Sequence, residues 1–126
     1  MKRILVVDDE SDVALAVKLA LKKFGDYEVT CVNSGKRCLD LLENDWVPDL
    51  ILLDIMMPDM NGWEVHKKLQ RDLRWRDIPI VFLTAITDET SHITGSVIAD
   101  GYVEKPFDPV DLKKVIDDVL QKSKIK

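Results

Sequence analysis

The chain has 126 residues, 46% hydrophobic and 33% charged, a balance that supports one domain with its own core and excludes a disordered chain. Eighteen Lys and Arg against 23 Asp and Glu leave a net charge of −5, which argues against direct, sequence-independent binding to nucleic acid or to an anionic membrane. No apolar run approaches bilayer length, and Met1-Lys2-Arg3 leads into a short strand and not a signal peptide, so a cytoplasmic location is expected.

In chain order, Arg3 to Val7 reads as a first strand. A first helix follows, opened by Asp9-Glu10-Ser11-Asp12, with an apolar stripe of Val13, Ala16, Val17, Ala20, Leu21 and Phe24, and stopped by Gly25. Glu28 to Val32 is a second strand and Gly35 to Glu43 a short second helix. Cys31 and Cys38 have no metal-ligand spacing with either histidine and read as reduced thiols. Leu50 to Leu53, four aliphatic residues without polar alternation, is a strand buried on both faces that ends on a carboxylate, Asp54.

A third helix begins near Asn61-Gly62 and carries Trp63, Val65 and Leu69. Trp63 is expected in the core, and His66, beside Lys67 and Lys68, in solvent. Ile80 to Leu83 is the fourth strand. A helix of weak propensity lies within Asp88 to Ala99, with His92 also expected in solvent. A short strand spans Tyr102 to Glu104. The last helix starts with Asp108 as N-cap and Pro109 at its first position, and carries Leu112, Val115, Ile116, Val119 and Leu120.

Five alternations of strand and helix predict a parallel sheet covered on both faces. In such sheets functional groups gather beyond the carboxyl ends of the strands. Asp8-Asp9, Asp54, Thr84 and Lys105 all fall there. Each alone has a plainer reading as a cap, a turn residue or a solvated cation; their convergence on one edge is what points to chemistry. Three crowded carboxylates must take up protons or a cation. An all-oxygen site suits Mg²⁺, or Mn²⁺ in its place. Such a metal would bring a phosphoryl group to a carboxylate nucleophile, with Thr84 and Lys105 contacting its oxygens.

The Asp8-Asp9 pair, Asp54 within LLDIMMPDMNG, Thr84-Ala85 in FLTA, and Lys105-Pro106-Phe107 occur in the order and spacing of one family. The chain resembles a receiver domain of the two-component response regulators over essentially its whole length. The resemblance implies a flavodoxin-like, doubly wound (βα)5 α/β fold with strand order 2-1-3-4-5, and one receiver domain over residues 1–126; no output domain is expected in this chain, which reads either as a stand-alone regulator or relay element or as a piece of a larger protein. It implies Asp54 as phosphoacceptor, with a sensor histidine kinase or phosphotransfer protein as donor, and Mg²⁺ held by Asp8, Asp9, Asp54 and the backbone carbonyl of Met56. Thr84 and Tyr102 would be the switch pair, and Lys105-Pro106 a cis bond. Such a domain catalyses its own phosphorylation and slow dephosphorylation without a turnover substrate. Phosphate would shift it between two conformations read by an output partner, and phosphorylation-dependent homodimerisation is compatible with the last helix.

Two departures stand out. Ile98-Ala99-Asp100-Gly101 places a glycine beside Tyr102, where many relatives carry a Gly-Ala-Asp-Asp run, which puts the turn into the last strand in question. Met56 and Ile86, two residues beyond Asp54 and Thr84, cannot orient a water by hydrogen bonding, so slow self-dephosphorylation is expected. Other classes fit less well. A haloacid-dehalogenase-type phosphatase wants a second acid where Met56 stands, and Asp8-Asp9-Glu10 would repel a flavin phosphate. A receiver-fold docking module not regulated by phosphorylation would have no need of the full set of five polar residues.

Overall fold

The computed structural model describes residues 1–85 and 100–125. The helix expected within 88–99, with His92, and the residue Ile86 lie outside the described residues. The elements are β1 (Lys2–Val7), α1 (Ser11–Lys22), β2 (Tyr27–Val32), α2 (Gly35–Glu43), β3 (Leu50–Leu53), α3 (Gly62–Gln70), β4 (Ile80–Thr84), β5 (Gly101–Glu104) and α4 (Pro109–Ile125). All five strands pair in parallel in the order β2-β1-β3-β4-β5. The parallel sheet is the one expected from the alternation, and its strand order is the one the resemblance implies.

The sheet divides its side chains by the period of two that a strand imposes. Ile4 and Val6 of β1, Leu50 and Leu52 of β3 and Val81 of β4 join Val17 and Leu21 of α1 and Leu112 and Ile116 of α4 in one core. Leu5, Val7, Ile51, Leu53 and Phe82 point the other way, onto Cys38 and Leu42 of α2 and Val65 and Leu69 of α3. Burial on both faces explains the unbroken aliphatic run of β3, whose four residues are fully buried. Each such side chain contributes about 1.5–3 kcal/mol by leaving water.

Local signals behave largely as the sequence predicts. Gly25 ends the α1 turn at φ 81°, a left-handed conformation. Asn61 caps α3 in a reciprocal capping box with Glu64. Asp108 Oδ1 accepts from the backbone N–H of Val110 at 2.8 Å and of Asp111 at 3.3 Å, capping α4. The Tyr27 hydroxyl donates to Asp117 of α4, which Lys113 also meets. Both cysteines are free, and burial pushes the Cys38 thiol up to about 12. Among the described residues no helix is long and apolar enough to cross a membrane.

Two expectations need correction. Ala14, not Ala16, belongs to the buried face of α1, which runs Ala14, Val17, Ala20 and Leu21. His66 is buried at 9% exposure, not solvated, with its ring centroid 5.9 Å from that of Phe82. Trp63 is half-buried, edge-on to Phe82 at 4.8 Å, as the core reading required. The strands also extend a residue beyond several of the expected limits. Gly101 proves to be the first residue of β5, opposite Val81. A Cβ there would stand 3.1 Å from Val115 and 3.2 Å from Val119 of α4, so glycine lets the last helix lie close on the sheet.

Candidate functional site

The strand order reverses between β1 and β3: the chain leaves β1 for one flank of the sheet and β3 for the other. Their registers pair Val7 with Leu53, so the next residue of each, Asp8 and Asp54, emerges side by side at this crevice. Backbone bonds hold both in place. The Asp54 N–H donates to the Val7 carbonyl at 2.9 Å, and the Asp8 N–H to the Val32 carbonyl at 3.1 Å. Asp8 and Asp54 are 1% and 2% exposed, whereas Asp9 is exposed. One carboxylate oxygen from each of the three lies within 4.8 Å of the others.

Lys105 arrives from the far side, at the end of β5, where the bond to Pro106 is cis. Its Nζ lies 2.7 Å from Asp8 Oδ2 and 3.6 Å from Asp54 Oδ2. The Asp8 contact is an ion pair without hydrogen-bond geometry, which leaves Asp8 Oδ2 buried with no hydrogen-bond partner. Asp8 Oδ1 accepts from the Glu10 N–H at 2.9 Å. Burial alone would lower the Lys105 ammonium. The Asp8 contact and the charges of Asp54, Asp8 and Glu10 outweigh it, and Lys105 stays a cation.

Asp54 responds in the opposite sense. Burial first, and the Asp8 charge second, push its carboxyl up to about 7, against the partial relief of Lys105 and the Met56 N–H. A buried carboxyl that keeps its proton toward neutrality marks a site short of positive charge. The donor set fits a hard divalent cation. It is all oxygen, it includes a buried carboxylate oxygen without a hydrogen bond, and among the described residues the Met56 carbonyl accepts none. The Met56 side chain is 68% exposed.

The loop after β3 turns back onto the strand end that carries Asp54. Asp59 adopts φ 67° and the Met60 N–H donates to the Pro58 carbonyl at 2.7 Å, making the tight turn that Pro58 announces. Gly62 then packs on the strand end, its N–H donating to the Ile55 carbonyl at 2.9 Å. Thr84 ends β4 and pairs in register with Glu104; Phe82 pairs with Tyr102. Tyr102 is half-buried against the α3 side of the core. The structure thus brings Asp8, Asp9, Asp54 and Lys105 together and sets the Thr84 and Tyr102 backbones on the neighbouring strands. His66, beneath Phe82 on α3, is a buried polar neighbour that the sequence reading missed. Its position in the spacing Gly62, Val65, His66, Leu69 would have placed it on the inner face.

The sequence profile of the response regulator receiver domain matches residues 4–117. The chain belongs to the response regulator receiver family. It is 40% identical over 125 residues to the response regulator SaeR of Staphylococcus aureus strain USA300, covering 98% of this chain and 53% of SaeR. The chain therefore spans about half the length of the curated relatives it matches. Among solved structures, the signal receiver domain of a signal transduction histidine kinase from Syntrophus aciditrophicus superposes with a TM-score of 0.86 at 28% identity, over 97% of this chain and 92% of that one. The receiver domain of the Francisella response regulator 1452 gives 0.85 at 26% identity, over 98% and 99%. The chain is a receiver domain of two-component signalling with the flavodoxin-like fold, a regulatory rather than a turnover module.

Proposed function

We propose that residues 1–126 form one receiver domain in which Asp54 accepts a phosphoryl group from a phosphohistidine of a sensor histidine kinase or phosphotransfer protein. The observation that carries this is the buried Asp54 carboxylate, clustered with Asp8 and Asp9 within 4.8 Å and faced by Lys105 at 3.6 Å. An Asp54 oxygen attacks phosphorus in line with the scissile P–N bond. The O–P bond forms as the P–N bond breaks, and the electron pair leaves on the imidazole nitrogen, which takes up a proton. Asp8, Asp9, Asp54 and the Met56 carbonyl would hold Mg²⁺, or Mn²⁺ in its place. Bound there, the cation supplies the positive charge that the acid cluster lacks and that the transferring phosphoryl oxygens need.

Lys105 would leave Asp8 for a phosphoryl oxygen, and Thr84 would donate to another; both would act where charge develops. Thr84 and Tyr102 would then carry the change from the site toward β5 and α4 as a shift between two conformations. The domain catalyses only its own phosphorylation and slow dephosphorylation, in the cytoplasm. Its output is a partner protein or domain reached through that face, with phosphorylation-dependent homodimerisation as one such outcome. A docking module indifferent to phosphate would gain nothing from burying two carboxylates against one lysine.

Intact mass after incubation with acetyl phosphate tests this. A single phosphoryl adduct that needs Mg²⁺ and is absent in Asp54→Ala is expected. An adduct that persists in Asp54→Ala would overturn the assignment.

A further inference from the structure

The two edges of the sheet are built differently. β5 is four residues long and runs into Lys105-Pro106, the short strand, charge and proline by which proteins blunt an edge against pairing with another chain. β2 carries none of these devices. It is six residues long, as long as β1, and its sequence YEVTCV holds no proline, glycine or lysine. Its register with β1 runs unbroken from Tyr27 to Val32, with no bulge to twist the edge away. The carbonyls of Asp26 and Val32 accept from the N–H groups of Lys2 and Asp8 at 3.1 Å, so the even-numbered residues of β2 are the ones that bond to β1. Tyr27, Val29 and Cys31 therefore turn their N–H and C=O groups away from the sheet, and among the described residues β1 is the only strand beside β2.

Charge changes sign along this edge. The acids Asp26 and Glu28 stand where β2 begins, and Lys36 and Arg37 open α2 just beyond its end. The first turn of α2 holds no acid, so two cations crowd a helix N-terminus, the end whose dipole favours anions. A strand laid antiparallel on β2 matches both ends if it carries acids at its own start and cations after its own end. A second copy of β2 does so. We propose that β2 pairs antiparallel with β2 of a second copy, Cys31 opposite the partner's Cys31, and joins two sheets into one. This register sets Val29 against the partner's Asn33 and Asp26 level with the partner's Lys36. It matches outward-turned residues with one another, for about six backbone hydrogen bonds. Cys31 is exposed at its centre. Leu15 of α1, 53% exposed, lines the same cavity as Cys31 and adds apolar surface to be covered. The pairing uses neither Asp54 nor the last helix and does not depend on phosphorylation.

Sedimentation velocity on the reduced, unphosphorylated chain tests the pairing, and a dimer is expected to grow in between about 10 μM and about 1 mM. Amide exchange reads the register: the Val29, Cys31 and Asn33 N–H groups slow as concentration rises, while those of β5 do not change. Cα atoms in a hydrogen-bonded antiparallel pair lie about 5.5 Å apart, within the roughly 4.4–6.8 Å that a disulfide spans. Diamide takes up the electrons and protons released as two thiols join, so it gives a Cys31–Cys31 dimer without denaturant. Asp26 and Lys36 are both exposed, so changing them leaves the unfolding midpoint in place. Lys36→Glu sets acid against acid and weakens the dimer about tenfold. Asp26→Lys with Lys36→Asp exchanges the charges and restores it. A chain that stays monomeric across that range, protection confined to β5 or α4, a dimer indifferent to Lys36→Glu, or a charge exchange that fails to restore pairing would each overturn the proposal.

Discussion

Gly62 offers the sharpest test of how the fold positions Asp54. A Cβ at this residue would stand 2.5 Å from the Asp54 carbonyl oxygen, 2.8 Å from the Ile55 Cα and 3.1 Å from the Asp54 carbonyl carbon. Ordinary contact begins at 3.4 Å, so the worst of these is short by about 0.9 Å, and every atom met is backbone. No rotamer relieves it, and the Gly62 N–H bond to Ile55 at 2.9 Å ties the two segments together. Gly62→Ala therefore drives α3 away from the end of β3, at about 1–3 kcal/mol of overpacking. The same displacement misplaces the Asp54 carboxylate, and a shift of about 1 Å costs roughly 10²-fold in rate. Urea unfolding and the rate of phosphoryl uptake from acetyl phosphate measure the two effects. Gly25→Ala is the control. It sits at φ 81° with nothing within 4 Å, so it costs about 1 kcal/mol of backbone strain and leaves the phosphorylation rate intact. A Gly62→Ala protein with native stability and rate would refute the reasoning, as would an equal loss of rate in Gly25→Ala.

Further outcomes follow from the charges. The Asp54 carboxyl, at about 7 in the folded chain against an ordinary 3.8, keeps its proton where the unfolded chain has lost it. Stability of the metal-free protein therefore falls as pH rises between these values and is level above them. Asp54→Asn removes that cost and stabilises the metal-free protein by roughly 1–3 kcal/mol at pH 8. The gain shrinks toward pH 4 and on adding Mg²⁺, as urea titrations at each pH would show. Lys105→Met leaves Asp8 and Asp54 buried without their cation. It lowers metal-free stability by about 2–4 kcal/mol and slows phosphoryl uptake about 10²-fold, followed by the same two assays. Met56→Asn combined with Ile86→Glu speeds loss of phosphate from the modified protein several-fold, read by the decay of the adduct after the donor is removed.

The sequence revealed the sheet and its acids because both depend on local signals. A short uninterrupted aliphatic run bounded by turn residues is too short for a buried helix and reads as a strand covered on both faces, and in a doubly wound sheet the residue after such a strand falls at the crevice. Asp8 and Asp54 were found this way before any distance was known. The closer approach of Lys105 to Asp8, at 2.7 Å against 3.6 Å to Asp54, was not legible, because it depends on where β5 ends relative to β1. His66 was misjudged by its charged neighbours, although residues 62, 65, 66 and 69 share one helical face. The place of Gly101 likewise depends on how closely α4 lies on β5, a tertiary fact that no propensity carries.

The central claim, that Asp54 is the phosphoacceptor, is met most directly by reductive trapping. Borohydride converts an acyl phosphate to the alcohol, so a phosphorylated aspartate becomes homoserine and can be mapped by peptide fragmentation. After treatment with acetyl phosphate and Mg²⁺, homoserine at position 54 alone is the predicted result. Homoserine at Asp8 or Asp9, or none despite a measured phosphoryl adduct, would contradict it.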